Sequence, residues 1–559
     1  MPFPSLELLP LPLFKAPPED ATDHERIYIT YQRAAAITKA YGMTPIDILS
    51  CTPRFWEFHL DPIGATDVAT FTLITIQINL AAGTLAPFAE NQPQYRKLLD
   101  QMLKFEISAQ YMLTEVGHGL DAKNLETTAT MLPNGEFDLN TPGLSAAKIM
   151  PPSSPVKGFP RVAIVFAQLI VSGENRGIRP FITWLSDGEQ MCNGVTAKRA
   201  ASKPVDHAIT SFHHVRLPHS ALLGALDKPK DTRKQFLSCI WRIGVGTLAL
   251  PLVMITAMKR SVFVAGKYSQ RRHILGPDQK HKPIISFRTQ YGPILHALAQ
   301  ISVLEAYTQQ NIQYFQDPNL ARPVRHAIGA MAKAVLYKTC QASLFTLSER
   351  CGAQGLYENN HIIESMLETR GMSIAEGDTL VLSIRLTSEL LLNRYEMPPA
   401  KDPASFLAKY EQGLLDELRG ITSTLSGGHR GEDYDSLILP RSQGFVEAIG
   451  YRIAYEAAIE AGVHPDLVAL FEIWVMIQDL SWFVQHASVT REQIFQMEAE
   501  RISTVLPRLN ALLDATGAEP YCTAPIVSQS LWEHFVDHLE TKTGSATTNI
   551  ALFRRGAML

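Results

Sequence analysis

Gly371-Met-Ser-Ile-Ala-Glu-Gly-Asp-Thr-Leu-Val-Leu382 places one carboxylate, Glu376, between Ala375 and Gly377, just ahead of an apolar, helix-prone run from Ser383 to Leu392. Two readings of Glu376 follow from elementary chemistry. A carboxylate among apolar neighbours has its charged form disfavoured, which raises its pKa and suits it to take a proton. A Glu or Asp ahead of a helix also caps it, by accepting from the free N–H groups of the first turn. The rest of the chain has to decide between base and cap.

At 559 residues the chain exceeds what one core serves, and about two to four domains are expected. A content of 46% hydrophobic and 19% charged residues is that of an ordinary globular protein. The net charge of -4 supplies no basic face for nucleic acid. Six cysteines (Cys51, Cys192, Cys239, Cys340, Cys351, Cys522) lie scattered without a Cys-x-x-Cys pair, which speaks against zinc or a disulfide framework and for a reducing compartment. Met1-Pro-Phe-Pro-Ser lacks the basic start of a secretory signal. The most apolar segment, Ile243 to Met258, contains Pro251 and is shorter than the roughly 20 residues of a spanning helix, so it is expected to be buried in protein. The ending Arg555-Gly-Ala-Met-Leu559 is not the Ser-Lys-Leu peroxisomal address. A cytoplasmic enzyme without membrane or nucleic-acid partners is expected.

The order of patterns along the chain is informative. Residues 1 to about 22 are proline-rich and expected to be extended. Helical periodicity follows in Glu25–Ile37 and Asp67–Leu85. Near Gln110 the character changes: Glu136-Phe-Asp-Leu-Asn-Thr alternates at period two, and Val162-Ala-Ile-Val-Phe-Ala-Gln-Leu-Ile-Val171 is a run suited to a buried strand. From Thr232 the helical period returns, with long segments such as Arg325 to Glu349 that fit a bundle of antiparallel helices. Met397-Pro-Pro-Ala-Lys-Asp-Pro403 then marks a boundary. The expected fold is α+β and mainly α: an N-terminal helical domain (1–108), a β-barrel-like middle domain (109–228), a four-helix-bundle domain (229–396) and a further helical domain (397–559).

Four separated segments carry the remaining information. They are Tyr111-Met-Leu-Thr-Glu-Val-Gly-His-Gly119; Phe166 to Ile170 with the strand Phe212-His-His-Val-Arg-Leu-Pro218; Tyr268-Ser-Gln-Arg-Arg-His-Ile-Leu-Gly-Pro277 with Phe287-Arg-Thr-Gln290; and Cys351-Gly-Ala-Gln-Gly355 ahead of Glu376-Gly-Asp378. A Thr-Glu-x-Gly-x-Gly turn at a strand end presents a hydroxyl and backbone N–H groups to a ligand edge. Arg271 and Arg272 beside a glycine turn can bind a pyrophosphate or form a solvated charge pair. Gly352 and Gly355 allow close approach of the backbone to a ligand. No Gly-x-Gly-x-x-Gly follows an expected strand, which speaks against a Rossmann site. His213-His214 lacks a third ligand at usable spacing, so no metal site is expected; one of the pair should be packed and the other exposed.

In this order the four segments resemble the acyl-CoA oxidases, within the wider acyl-CoA dehydrogenase superfamily of flavoproteins, over about residues 25 to 400. The resemblance implies FAD, with cofactor contacts from Thr114, Gly119, Arg271, Arg272, Arg288, Gln290, Gly352, Gly355 and Asp378. It also implies a subunit interface that shares the FAD phosphates, hence a homodimer or larger. Glu376 by position is the base that takes the α-proton of a CoA thioester, its own backbone N–H steadying the enolate. The implied reaction is α,β-dehydrogenation with O2 as electron acceptor and H2O2 as product. The chain departs from the family at several places. The aromatic before the glutamate is Ala375, and the oxidase pattern Lys-Trp-Trp-Pro-Gly reads Lys148-Ile-Met-Pro-Pro152. These changes imply a specialised substrate rather than a simple fatty acyl chain; the alternative is a flavoenzyme of the same fold that desaturates or monooxygenates a non-CoA small molecule.

Overall fold

The computed structural model describes residues 3–18, 20–90, 92–200, 205–276 and 279–547. Pro277 and the C-terminal ending Arg555–Leu559, both used above, lie outside the described residues. The N-terminal segment is less extended than its prolines suggest: Ser5–Leu8 forms one helical turn and Pro12–Phe14 a 3-10 turn. Proline fits at the start of such turns because its missing N–H falls among donors a helix leaves free.

Helices precede the strands. Helix α1 (Asp23–Tyr41) opens with a capping box, Thr22 and Glu25 each accepting from the other's backbone N–H. Helix α2 (Val68–Ala89) is nearly all apolar and carries a π-helical stretch at Ile76–Ala82. Such widened turns often mark functional positions. Helix α3 (Pro93–Leu103) follows and leads into the strands.

The strands of the middle domain run from Ser108 to Leu217, and a separate antiparallel pair, His273–Leu275 with His281–Pro283, follows within the helical region. β1 (Ser108–Met112) and β2 (Thr128–Met131) pair in parallel with successive parts of β5 (Arg161–Val171), while β6 (Glu174–Ser186) pairs with β5 antiparallel along its length. β3 (Phe137–Asn140) joins β2 to β9 (Val215–Leu217). A separate three-stranded sheet has β8 (Ala208–Phe212) between β4 (Lys148–Met150) and β7 (Val195–Arg199). The strands of the middle domain are thus divided between two sheets. β5 explains its own sequence: Val162, Ile164 and Phe166 face the core shared with the helices, whereas Ala163, Val165, Ala167 and Leu169 face a second core within the strands. A strand buried on both faces reads as one apolar run.

The helical bundle follows. Helix α4 (Trp241–Arg271) passes Pro251 through a single 3-10 turn, Leu250–Leu252, instead of stopping there. It is thus longer than the apolar segment read from the sequence. By length and composition α2 and α4 both could cross a bilayer, but 94% of each apolar window is buried inside the protein. Helices α5 (Arg288–Gln316) and α6 (Arg322–Arg350) pack beside α4, and α7 (Thr379–Leu391) carries the Glu376 segment at its start. Helix α8 (Ser442–Glu460), beyond the proline-rich boundary, packs against α5, α6 and α7. A Cβ at Gly450 would lie 2.3 Å from Val335, so this residue has to be glycine for α8 to reach α6. One continuous core crosses the 397 boundary.

Candidate active site

The start of α7 separates the two readings of Glu376. The cap is Asp378, whose side chain accepts from the Val381 N–H at 3.1 Å. Glu376 instead sits in the left-handed region at φ 56°, and Gly377 continues at φ 103°. A glutamate rarely takes that backbone, and it persists only where its surroundings impose it. Here they do. Lys333 of α6 donates to the carbonyls of Ala375 and Gly377, 2.5 Å each, and Thr247 of α4 donates to the Glu376 carbonyl at 2.9 Å. Thr379 donates to Ser373 O at 2.9 Å and closes the loop.

The Glu376 carboxyl lies back against α4 and α2. Its Oε2 accepts from Asn79 Nδ2 at 3.2 Å, and a Cβ at Gly246 would fall 1.1 Å from the same oxygen. Burial pushes the Glu376 carboxyl up to about 8, against the opposing pull of Lys333, Arg242 and the Asn79 amide. That is the environment expected of a proton acceptor working near neutrality.

Asn79 belongs to the π-helical stretch and is held by Arg242: Arg242 Nε donates to Asn79 O at 2.7 Å, while Asn79 Nδ2 also reaches Arg242 O at 3.3 Å. Arg242 is fully buried, lies over the Trp241 and Phe55 rings, and donates to Ile48 O. Burial lowers its pKa, with Cys51, Glu376 and Tyr111 pulling the other way. Tyr111 of β1 is buried with its hydroxyl unpartnered; burial first, then the Glu376 charge, raise it well above the usual phenol. Asn79 Oδ1 and Arg242 Nη2 are likewise without partners among the described residues.

The turn that carries Thr114 starts three residues after Tyr111. It is the excursion between β1 and β2, which lie end to end along β5 and leave a break between them. Lys148, fully buried, fills that break by donating to Phe166 O, Leu113 O and Glu115 Oε1. Glu115 also accepts from the N–H groups of Glu126 and Thr127. Burial lowers Lys148 to about 8, against the opposing Glu115 charge. The turn offers fewer free donors than its glycines suggest, because the N–H groups of Val116, Gly117 and His118 are spent on Ala147, Ser145 and Glu115. Around Gly119 there is open space.

The remaining sequence candidates converge on one end of the bundle. Gln290 donates to Ser269 Oγ and to Arg350 O, tying the ends of α4 and α6 to the start of α5. Arg271, Arg272, Arg288 and Gly352 all lie within three residues of those tied positions. The two neighbouring arginines differ. Arg271 donates to Ile526 O and Gln529 Oε1 and lies over Trp532, so the C-terminal segment holds it. Arg272 is exposed and no side-chain partner for it appears among the described residues. Arg288 is exposed at the first position of α5. Gly352 takes φ 57° with open space around it, whereas Gly355 is a packing glycine, a Cβ there lying 2.0 Å from Ser348 O. His213 and His214 are both exposed, which corrects the expected split; they pair with Thr196 and Asp138. They flank the sharp turn between β8 and β9, where alternation ends. No cluster of three metal-binding side chains occurs among the described residues.

The sequence reading missed Asn79, Arg242, Gly246, Thr247, Lys333 and the Glu115–Lys148 pair. For the helical residues the one signal is a polar or glycine residue inside an apolar run, whereas the pairing of Glu115 with Lys148 joins a turn to a strand 33 residues on.

The order of helices, strand domain, helical bundle and further helices is the fold of acyl-CoA oxidases of known structure. Residues 248–391 match the acyl-CoA oxidase C-alpha1 domain. The chain is 24% identical over 343 residues to peroxisomal acyl-coenzyme A oxidase 3 of Homo sapiens, covering 55% of this chain and 48% of that one. It is 26% identical over 420 residues to peroxisomal acyl-coenzyme A oxidase 1 of Arabidopsis thaliana, covering 68% and 61%. The chain thus spans about half to three fifths of these relatives' length. Among solved structures, acyl-CoA oxidase1 of Yarrowia lipolytica aligns with TM-score 0.81 at 19% identity, covering 99% of this chain and 92% of that one. Acyl-CoA oxidase-2 of Caenorhabditis elegans, bound with FAD, ascaroside-CoA and ATP, aligns with TM-score 0.71 at 15% identity, covering 96% of each. Residues 248–391 thus match an acyl-CoA oxidase domain, and the fold as a whole is that of the acyl-CoA oxidases of known structure.

Proposed function

We propose that the protein is an FAD-dependent acyl-CoA oxidase in which Glu376 takes the α-proton of an acyl thioester. The observation that carries this reading is the Glu376 carboxyl itself, buried, raised to about 8 and held away from the helix cap that Asp378 provides. The Glu376 N–H donates to no group among the described residues, so it is available to the thioester oxygen as negative charge develops there.

The residues present fit FAD. Thr114 and the open space at Gly119 suit the flavin end, and the unpaired Arg272, exposed Arg288 and open Gly352 turn suit the phosphates. FAD, when bound, supplies the hydride acceptor and passes the electrons to O2, giving H2O2. The C. elegans relative solved with FAD supports the same cofactor.

A CoA carrier is favoured over an uncharged small molecule by a cavity of about 340 Å³ beside α4. Trp241, Val245, Phe315, Arg322, Arg325 and His326 line it. Neither arginine has an acidic partner among the described residues, and Arg325 Nε is buried without one. A specialised acyl group is supported by Ile149 and Met150, which stand where the family has tryptophans. Ile149 N–H donates to Thr114 O, so this substitution lies beside the Thr114 turn.

A homodimer is supported by the exposed apolar side chains Leu120, Leu144, Leu356, Tyr357 and Ile374, which flank the proposed cofactor turns and the Glu376 loop. The H. sapiens and A. thaliana relatives are named peroxisomal. The deciding experiment is anaerobic stopped-flow reduction of the purified flavoprotein by acyl-CoA esters. Wild type should bleach, and Glu376→Gln should bind FAD and ligand but reduce slower by roughly 10²–10⁴-fold. A colourless protein that takes up no FAD, or a Gln variant that reduces at the wild-type rate, overturns the reading.

A further inference from the structure

Three consecutive carbonyls, those of Ala375, Glu376 and Gly377, accept from two side chains that reach them from two other helices, Lys333 on α6 and Thr247 on α4. Lys333 serves the outer two. It is fully buried, and its ammonium has no carboxylate within ion-pair distance among the described residues. A buried ammonium committed to two backbone oxygens is an expensive arrangement. It is spent at the one place where the chain has turned a glutamate into the left-handed region. Thr247 serves the middle carbonyl, sharing its single hydroxyl proton between Glu376 O and Ile243 O.

The two donors sit on helices that pack closely together. A Cβ at Gly244 of α4 would lie 2.9 Å from His326 of α6, so the helices meet closely one turn from Thr247.

We propose that Lys333 and Thr247 are positioning residues that clamp the 375–377 turn, keeping the Glu376 carboxyl seated against Gly246 and Asn79. The proposal rests on the reading of Glu376 as the base. Lys333 also acts on that carboxyl by charge. The charged and titratable groups that face Glu376 are Lys333 on α6, Arg242 on α4, Tyr111 on β1 and Asp378 on its own segment, and of these Lys333 favours the ionised carboxyl most.

The test compares Lys333→Met, Lys333→Gln and Thr247→Val with wild type and Glu376→Gln. Lys333→Met should retain FAD and ligand binding yet lose roughly 10–100-fold in flavin reduction, the scale of a misplaced catalytic group. Its rate should also need a higher pH. Lys333→Gln, which keeps donors but not the charge, should recover part of the rate and none of the pH shift. Thr247→Val, losing one shared hydrogen bond, should lose roughly 2–10-fold without a pH shift. Infrared titration of the Glu376 carboxyl in cofactor-free protein, wild type minus Glu376→Gln, reads the same shift without turnover. Unchanged rates and an unchanged carboxyl titration in Lys333→Gln and Thr247→Val overturn the clamp even if Lys333→Met fails to fold. A Glu376→Gln variant at full rate overturns the base reading itself and the clamp with it.

Discussion

Gly246→Ala sets helix preference and site geometry against each other. In a helix interior alanine is favoured over glycine by about 1 kcal/mol, so the substitution taken alone firms up α4. The added Cβ, however, lands 1.1 Å from Glu376 Oε2 and 2.1 Å from its carboxyl carbon. Real Cβ contacts essentially stop at 3.0 Å, so the carboxyl has to retreat by the difference, about 2 Å. The retreat also breaks the 3.2 Å bond from Asn79, whose Nδ2 would lie 2.6 Å from the new methyl. Displacements of about 1 Å at a reacting group cost on the order of 10²-fold, and flavin reduction should fall by at least that much. The backbone clamp on 375–377 keeps the turn from following the side chain outward. The assay is anaerobic stopped-flow reduction by an acyl-CoA ester, with FAD content and melting temperature measured on the same preparations. The expected outcome is a folded, yellow, slow enzyme. A variant that reduces its flavin as fast as wild type refutes the placement of Glu376 against Gly246.

The pH dependence follows from the same carboxyl. Because the base must be ionised and burial raises it to about 8, the reduction rate at subsaturating ligand should climb about tenfold per pH unit up to that point and then level off. A rate that is flat from pH 6 to 9 removes Glu376 from the mechanism. Stability should move the opposite way. The folded state holds this proton more tightly than the unfolded chain, so the stabilisation is complete below the model-peptide value of 4.5 and is lost as pH rises through about 8. Glu376→Gln has no such loss, and its denaturant midpoint should gain on wild type across that window; a constant difference would contradict the burial of the charge.

The helix-strand-helix order was legible because each region keeps its own period over many residues. β5 announced itself as an apolar run interrupted only at Gln168, for the physical reason that both of its faces are covered. Glu376 was legible too, as a carboxylate with no polar neighbour. What the chain did not disclose is the set of groups that act on it. Asn79, Arg242 and Lys333 each sit alone in an apolar helical stretch, and periodicity assigns such positions to a core without saying what they reach. Asn79 is aimed by a π-helical widening, which no pattern of residue types encodes. Arg271 and Arg272 looked equivalent because their difference comes from residues 526 to 532, far along the chain. The two-sheet arrangement was hidden because alternation within short strands does not say which strand lies beside which.

Glu376 and Asp378 show how two carboxylates two residues apart take different tasks. Gly377 at φ 103° reverses the chain between them, so that Asp378 faces the free N–H groups of α7 while Glu376 points back to α4. Asp378 stays in a setting where a negative charge is welcome, at a helix start. Glu376 goes where charge is resisted, and a catalytic base is made by that resistance. Asp378→Ala separates the roles. As a cap its loss should cost about 0.5–2 kcal/mol of stability, read as a lower denaturant midpoint, with reduction of the bound flavin close to wild type. The sequence resemblance assigned Asp378 to the cofactor, which predicts the reverse: weakened FAD binding at unchanged stability. FAD affinity and denaturation measured side by side on Asp378→Ala therefore decide which carboxylate serves the helix. Loss of affinity without loss of stability would return Asp378 to the cofactor site and leave the start of α7 without its cap.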